Sequence, residues 1–167
     1  MAMYWCASAP MPTTAAPAML ATGTTIRTML QVATPATQKL KVVKWGVQFA
    51  TVPTAPVTCE LVDTFAIPAT GLTAHVAAGV QPYDDSGAPA SSMTLGTGAT
   101  GYWVAAAAEG TITATRHGDV QILTATNQFA WEWSLSREFE VPISHFLRVR
   151  MTTATTINAL TYIVWTE

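Results

Sequence analysis

Histidine side chains are the groups best suited to acid–base or metal chemistry near neutral pH. The three histidines, His75, His117 and His145, are far apart, and none stands at metal-ligand spacing from another. His117 is followed by Gly118 and Asp119, two residue types that favour turns. We therefore predict that His117 lies in a polar turn between strands, and we predict neither a catalytic nor a metal-binding role for these side chains.

Two carboxylates in a loop are a second place where chemistry is conceivable. Asp84 and Asp85 follow each other in a stretch rich in glycine, proline and serine, and oxygen-rich loops bind calcium. A calcium site takes about six to eight oxygen ligands, and only these two carboxylates are local. The sequence therefore favours a turn over a metal site, and no metal or other cofactor is predicted.

A second pair of carboxylates, Glu138 and Glu140, would share one face of a strand, as the paired acids of a glycosidase do. Charge pairing across strands explains these glutamates more simply, because three basic residues lie close by in the sequence. These are Arg137, Arg148 and Arg150. The chain also lacks a Gly-x-Ser-x-Gly motif and a P-loop, and its Gly96–Gly101 string GTGATG opens no predicted helix. We predict that the protein is not an enzyme.

The two cysteines, Cys6 and Cys59, are too few for a disulfide scaffold or a four-ligand zinc site. Cys59 stands in a strand pattern typical of a small core residue. Cys6 stands in an irregular N-terminal stretch, and the sequence leaves open whether the two cysteines pair.

The composition sets the chain apart from an ordinary soluble domain. Of its 167 residues, 50% are hydrophobic and only 11% are charged, where a typical domain has about 25% charged residues. The cores of protein–protein interfaces are similarly depleted of Lys, Glu and Asp. Part of this surface is therefore expected to face protein, the alternative being a threonine-rich β-domain without a partner.

The distribution of charge argues against nucleic acid as a partner, and the lengths of the apolar runs argue against a membrane span. The net charge is −2, and the eight basic residues form no basic stripe of the kind that nucleic-acid-binding domains carry. No apolar run is long enough to cross a membrane as a helix, and the N-terminal stretch has no basic residue before Arg27. We expect neither a membrane span nor a signal peptide.

Residues 1–25 are predicted to form an extended N-terminal arm, and residues 26–167 a single β-sandwich or jelly-roll-like domain. The arm is uncharged, shows no period and is interrupted by Pro10, Pro12 and Pro17. Such an arm would gain by lying on a neighbouring subunit, although a loose terminus is the ordinary alternative.

From residue 26 onward, short runs of alternating apolar and polar residues predict about eight to ten strands. The predicted strands are Ile26–Val32, Lys39–Phe49, Val57–Val62, Leu72–Val80, Thr111–Thr115, Val120–Thr124, Phe129–Leu135, Phe139–Val141, Phe146–Met151 and Ile157–Trp165. We expect the second and third of these to pair as a hairpin-like unit. Residues 81–101 form a long loop, which is a candidate contact surface.

The aromatic residues divide into predicted core and predicted contact groups. Trp131 and Trp133 share a face with Phe129 and Leu135, which is typical of a core. Trp103 is expected to be partly exposed. Because tryptophan can stack on sugars, a carbohydrate-binding module is the alternative function. The candidate assembly contacts are Tyr4, Trp5, Tyr83, Tyr102 and Trp103.

Three segments resemble virion proteins of tailed bacteriophages. They are KLKVVKWGVQFATVPTAPVTCELVDT (Lys39–Thr64), the loop VQPYDDSGAPASS and the closing run FEVPISHFLRVRMTTATTINALTYIVWTE. The resemblance covers about residues 26–167 and implies a small β-sandwich that decorates or cements a capsid. It implies binding to the major capsid protein and to further copies of itself, as a homo-oligomer such as a trimer, on the capsid surface of the virion. It implies no catalytic residues, and minor tail or head-fibre proteins use similar sandwiches.

Overall fold

The structure, a computed structural model, describes residues 2–11, 13–14 and 16–167. Within these ranges the chain forms thirteen β-strands and one short 3-10 helix, Ala77–Gly79. The strands are β1 (Met3–Ala7), β2 (Leu20–Ala21), β3 (Arg27–Ala33), β4 (Leu40–Phe49), β5 (Val57–Asp63), β6 (Thr73–Ala74), β7 (Gln81–Pro82), β8 (Gly101–Tyr102), β9 (Arg116–Leu123), β10 (Gln128–Glu132), β11 (Phe139–Val141), β12 (Phe146–Thr153) and β13 (Asn158–Thr166). No helix in the described residues is long and apolar enough to cross a membrane.

The strands form two antiparallel sheets, which confirms the prediction of an all-β sandwich. Sheet A has the order β10-β4-β13-β1-β7, with β11 also on β4 and β2 also on β13. Sheet B has the order β6-β8-β3-β12-β5-β9. The jelly-roll arrangement stays a prediction.

Alternation along the long strands builds the core between the sheets. In β12, Leu147, Val149 and Met151 are fully buried, as expected for one face of a pleated strand. In sheet A, Trp45 and Trp165 are also fully buried within the same apolar cluster. Each buried aliphatic side chain contributes about 1.5–3 kcal/mol, so this interior is the main source of stability.

Loops cover part of the outer face of sheet B. Gln31 and Arg148 project outward from β3 and β12, yet both are fully buried. The Gln31 amide donates to the carbonyl of Ala99 (2.6 Å) and accepts from the N–H of Ala69 (2.7 Å). Arg148 donates to the carbonyls of Ile67 and Glu109. Because a buried polar group must be hydrogen-bonded, these side chains fix the loops onto the sheet.

The prediction of an extended N-terminal arm is wrong for Met3–Ala7 and Leu20–Ala21. Met3–Ala7 is strand β1, which lies inside sheet A between β13 and β7, and Leu20–Ala21 is strand β2. Cys6 sits in the core, where an uncharged segment gains burial without a second subunit. Residue 25 therefore marks no boundary between arm and sandwich; Met1, Pro12 and Ala15 lie outside the described residues.

The predicted pairing of the second and third strands is also wrong. β4 belongs to sheet A and β5 to sheet B, where β5 pairs with β12 and β9. The connecting residues 50–56 pass from one sheet to the other, so the inward faces of the two strands meet across the interior. A period of two identifies the faces of a strand but not its neighbours.

The predicted strand Leu72–Val80 is wrong over most of its length. Only Thr73–Ala74 is a strand, and the chain then turns through the 3-10 helix Ala77–Gly79. The turn closes around His75, because a Cβ atom on Gly79 would lie 2.5 Å from His75 Nδ1. Glycine is therefore required where the turn crosses the imidazole.

The other strand predictions have mixed outcomes. The predicted Thr111–Thr115 is not a strand. His117, predicted in a turn, lies inside strand β9. Six strands are confirmed with shifts of a few residues at their ends, and β11 is confirmed without a shift. The shifted strands are β3, β4, β5, β10, β12 and β13.

Candidate functional site

Two of the five predicted assembly contacts are buried inside the chain. The Tyr4 ring lies in the core, and its hydroxyl donates to the Pro89 carbonyl (3.0 Å). Trp103, expected to be partly exposed, is buried beneath the Arg27 guanidinium, 4.7 Å from the ring centroid. The exposure expected of Trp103 is therefore wrong, and neither side chain offers a surface to a partner. The long loop reaches Tyr4 through Pro89, whereas Arg27 lies over Trp103.

The other three predicted contacts lie in two places. Trp5 is half-buried in β1, and Tyr83, which follows β7, is 54% exposed. The Tyr83 N–H donates to the Met3 carbonyl (2.8 Å), so both aromatic residues stand at the same edge of sheet A. Tyr102 is half-buried in β8, with its ring 5.0 Å from the His75 ring. Contact with a partner stays a prediction for these three residues.

Strand β9 exposes two apolar side chains, Val120 and Ile122, to solvent. Asp119 and Gln121 pair with Leu61 and Cys59 of β5, which point into the core. The intervening Val120 therefore points outward, as does Ile122 one pleat further. Val120 and Ile122 thus face outward, while Asp119 and Gln121 share the inward face with the buried Leu123.

Hydrogen bonds hold β9 in this register. Trp45 Nε1 donates to Asp119 Oδ2 (3.1 Å), and Gln121 Nε2 donates to Asp119 Oδ1 (2.8 Å). The register also matches a β-bulge between Leu61 and Val62. A slip by one residue would exchange the two faces of the strand and break both bonds.

Two further apolar side chains are exposed in and after β10, the edge strand of sheet A. β9 ends sheet B and lies against β4 and β11 of sheet A, since Asp119 contacts Trp45 and Arg116 lies over the Phe139 ring, and β10 is the next strand beyond β4. Val120 and Ile122 point away from the interior, whereas Trp131, paired with Trp45, is on the inward face of its exposed strand. Four residues in and after these strands form what we call the edge strip: Val120 (46% exposed), Ile122 (68%), Trp131 (49%) and Leu135 (86%).

The prediction that Trp131 and Leu135 belong to the core is wrong. β10 pairs with β4 only, so Trp131 has a strand on one side and solvent on the other. Leu135 lies beyond the end of the strand, in the following turn. Phe129 and Trp133 are half-buried and pack against the core, with Phe129 edge-on to Trp45 at 5.3 Å.

The exposure of Val120 and Ile122 could not be predicted from the sequence, because apolar alternation predicts that both side chains face the core. Apolar residues at every second position predict an inward face, and the register of β9 reverses that expectation. The sequence signal is indirect: the two faces of the strand carry apolar and polar residues in similar number, and Asp119 lies in its centre.

The histidine and glutamate side chains that could support acid–base chemistry make structural contacts instead. His117 Nε2 lies 3.1 Å from Glu60, and His145 Nδ1 lies 3.0 Å from the buried carboxylate of Asp63. Glu140 pairs with Lys39 at 2.9 Å. Charge pairing across strands thus accounts for Glu140, with a partner other than the predicted arginines.

The two loop carboxylates accept hydrogen bonds from backbone N–H groups, Asp84 from strand β1 and Asp85 within its own turn. Asp84 Oδ1 accepts from the Met3 N–H (3.0 Å), and Asp85 Oδ1 accepts from the Gly87 N–H (2.8 Å). Among the described residues no group of three or more histidine, cysteine or acidic side chains is placed to hold a metal ion.

His75 joins the two sheets, and we expect it to make stability depend on pH. Its Nε2 contacts the Ala7 carbonyl at 2.9 Å. Burial lowers the pKa of His75 below its ordinary value of 6.5, with the Ala7 contact opposing the shift. The unfolded state then binds the proton more readily, so this stabilisation is present above pH 6.5 and is lost as the pH falls below it.

Urea unfolding at pH 5 and pH 8 measures this effect. The wild type should lose more stability than a His75→Gln variant over this interval, since glutamine can keep the Ala7 contact without titrating. His117→Gln is the control for an exposed histidine. An equal loss in wild type and His75→Gln would contradict the role given to His75.

Both cysteines are free and buried, which answers the question of their pairing. Burial raises the pKa of Cys59 to about 12 and raises that of Cys6 further. Because the thiolate is the reactive form, we expect neither thiol to react with a thiol reagent in the folded protein. Two equivalents should react after denaturation; rapid labelling under native conditions would contradict this burial.

Comparison with known proteins adds no relative: no family model, curated protein or solved structure matches the chain.

Proposed function

We propose that this chain is a non-catalytic structural protein of a bacteriophage virion. In this role it decorates or cements the capsid by binding the lattice of the major capsid protein. The observation that supports the proposal most directly is the reversed strand β9, which turns Val120 and Ile122 outward. Exposed apolar side chains that a different register would bury are expected where a partner covers them.

The composition of the rest of the surface agrees with this role. With 11% charged residues, the chain has few of the lysines and glutamates that are depleted in interface cores. The edge strip itself consists of aliphatic and aromatic side chains, and tryptophan is a preferred anchor of protein interfaces. Desolvating such a strip costs little, because no charge in it has to be neutralised.

Exposed edge strands also supply backbone groups for association. β9 has a neighbouring strand on one side only, and its sequence holds neither proline nor lysine, two residue types that block edge pairing. A partner strand added here would place its own side chains beside Val120 and Ile122 on the outer face of sheet B. Further copies of the chain, the major capsid protein, or both provide that strand in the proposed assembly.

Because a decorating protein binds the capsid in many copies, a weak contact at each site is sufficient for stable attachment. A specific interface buries about 1,200–2,000 Å², and a decorating protein that also contacts its own copies gains avidity without new contacts at each site. Closed symmetry, such as a trimer, would place the same strip of every copy against its neighbour.

Immunogold electron microscopy of phage particles from the source organism tests the proposal. An antibody against this chain should label heads at regular spacing. Labelling confined to tails would replace the capsid role with a tail role, and particles without label would overturn the virion proposal altogether.

A further inference from the structure

The outer face of sheet A carries an aromatic side chain, Tyr162, that is not part of the edge strip. Tyr162 of β13 lies directly opposite Gly46 of β4, and both point away from the core because their neighbours Val47 and Ile163 are buried. The tyrosine ring lies across the glycine. A Cβ atom added to Gly46 would meet Cε1 and the hydroxyl oxygen of Tyr162 at 2.6 Å.

The Tyr162 ring therefore forms the base of a groove over Gly46. One face of the Tyr162 ring covers Gly46, which is buried, and the ring remains partly exposed to solvent. The next outward position on the neighbouring strand is Ala130, paired with Gly46 on its other side. Small residues beside the ring therefore leave a shallow groove along this row.

Polar side chains form one wall of the groove. Gln48 and Gln128 are directly opposite each other on β4 and β10, and both are exposed. Together with Phe129, Ala130 and Tyr162 they line a groove of about 420 Å³. In the described part of the chain neither glutamine amide makes a side-chain hydrogen bond, so both can serve a ligand.

The charges around the groove cancel. Lys44 and Glu132 stand opposite each other one pleat further along, with Lys44 Nζ 3.9 Å from Glu132 Oε2. Partial burial raises the pKa of Tyr162, so its hydroxyl stays neutral at physiological pH. A ligand with a net charge finds no opposite charge here, which favours an uncharged partner.

From these contacts we infer that the groove over Tyr162 binds a neutral oligosaccharide. A pyranose ring presents C–H groups on one face, which pack on an aromatic ring, and hydroxyls at its rim, which hydrogen-bond to amides. The Tyr162 ring offers the aromatic surface, and the amides of Gln48 and Gln128 offer the hydrogen-bonding groups. Ligand sites combine apolar or aromatic lining with a few placed polar groups in the same way.

The inference does not depend on the proposed virion role, and it differs from the predicted sugar platform of tryptophans. Trp45, Trp103 and Trp165 are buried, so they are unsuited to stack on a sugar. Tyr162 lies on the opposite face of sheet A from Trp45. If the protein is also a capsid component, the groove would hold particles on a glycan-bearing surface.

Binding to an array of neutral hexose, pentose and N-acetylhexosamine oligomers, followed by calorimetry on the best ligand, tests the inference. Tyr162→Ala should weaken the affinity about tenfold or more. Gly46→Ala should do the same while keeping the tyrosine, because the new methyl group displaces the ring. A Gln48→Ala/Gln128→Ala double variant should also bind more weakly.

Tyr102→Ala, which removes a half-buried tyrosine of sheet B outside the groove, is the matched control and should bind like the wild type. Circular dichroism confirms that each variant is folded. No binding to any neutral glycan on the array, or equal affinity of wild type and the Gly46→Ala variant, would overturn the inference. Neither result would change particle labelling, so the two proposals fail separately.

Discussion

Replacing Arg148 with methionine is expected to lower the free energy of unfolding by about 3–5 kcal/mol, the usual cost of breaking a buried ion pair from one side. Arg148 is fully buried, and its guanidinium lies 3.4 Å from Glu109 Oε2 and 2.9 Å from the Glu109 carbonyl. Glu109 in turn accepts from the hydroxyl of Thr28 at 2.7 Å. Methionine keeps the volume but leaves Glu109 without a cation.

Arg148 keeps its positive charge although its side chain is fully buried. Burial lowers the pKa of Arg148 to about 10, with Glu109 opposing the shift, so the side chain stays charged at neutral pH. Denaturant unfolding measures the effect, and the exposed Arg137→Met is the control, expected within about 0.5 kcal/mol of wild type. An Arg148→Met/Glu109→Gln double variant should cost less than the sum of the single changes. A loss below about 1 kcal/mol for Arg148→Met would contradict the conclusion that Arg148 fixes the covering loops onto sheet B.

Truncating Trp45 to alanine should cost about 3–5 kcal/mol, whereas the same change at Trp131 should cost about 1 kcal/mol or less. The two tryptophans are directly opposite each other on β4 and β10, so they form a matched pair. Trp45 is fully buried and bonded to Asp119, while Trp131 is about half exposed at the edge of the sheet.

Chemical unfolding of both variants, followed by circular dichroism, measures the difference. Removing Trp45 opens a cavity and leaves the Asp119 carboxylate without its indole donor, which adds to the loss. Similar losses for the two variants would show that Trp131 is buried in solution and would remove it from the edge strip.

The sequence predicts the long strands well because their alternation is set by one buried face. In β12 the order Leu147, Arg148, Val149 identifies the inward residues correctly. It does not show that Arg148 is also buried, since the loops that cover it lie about 40–80 residues away in the chain. Burial of an outward face is a property of tertiary packing, which no local pattern reports.

The candidate site is harder to predict than the fold for the same reason. Whether Trp131 is in the core or at the surface depends on β10 being a terminal strand, and strand order is invisible in a period of two. The outward position of Ile122 depends on a register held by Asp119 and Trp45, residues 74 positions apart. Tyr162 forms the base of a groove only because Gly46 lies directly opposite it on the neighbouring strand β4.

Rebinding of the purified chain to particles that lack it tests most directly whether the edge strip mediates assembly. Wild type and Val76→Lys should occupy the capsid equally, because Val76 is 67% exposed but lies away from the strip. Ile122→Lys, at 68% exposure, should show strongly reduced occupancy in electron-microscopic reconstructions, since a lysine in an interface core must be desolvated. Equal occupancy of the two lysine variants would contradict the assembly role of the edge strip.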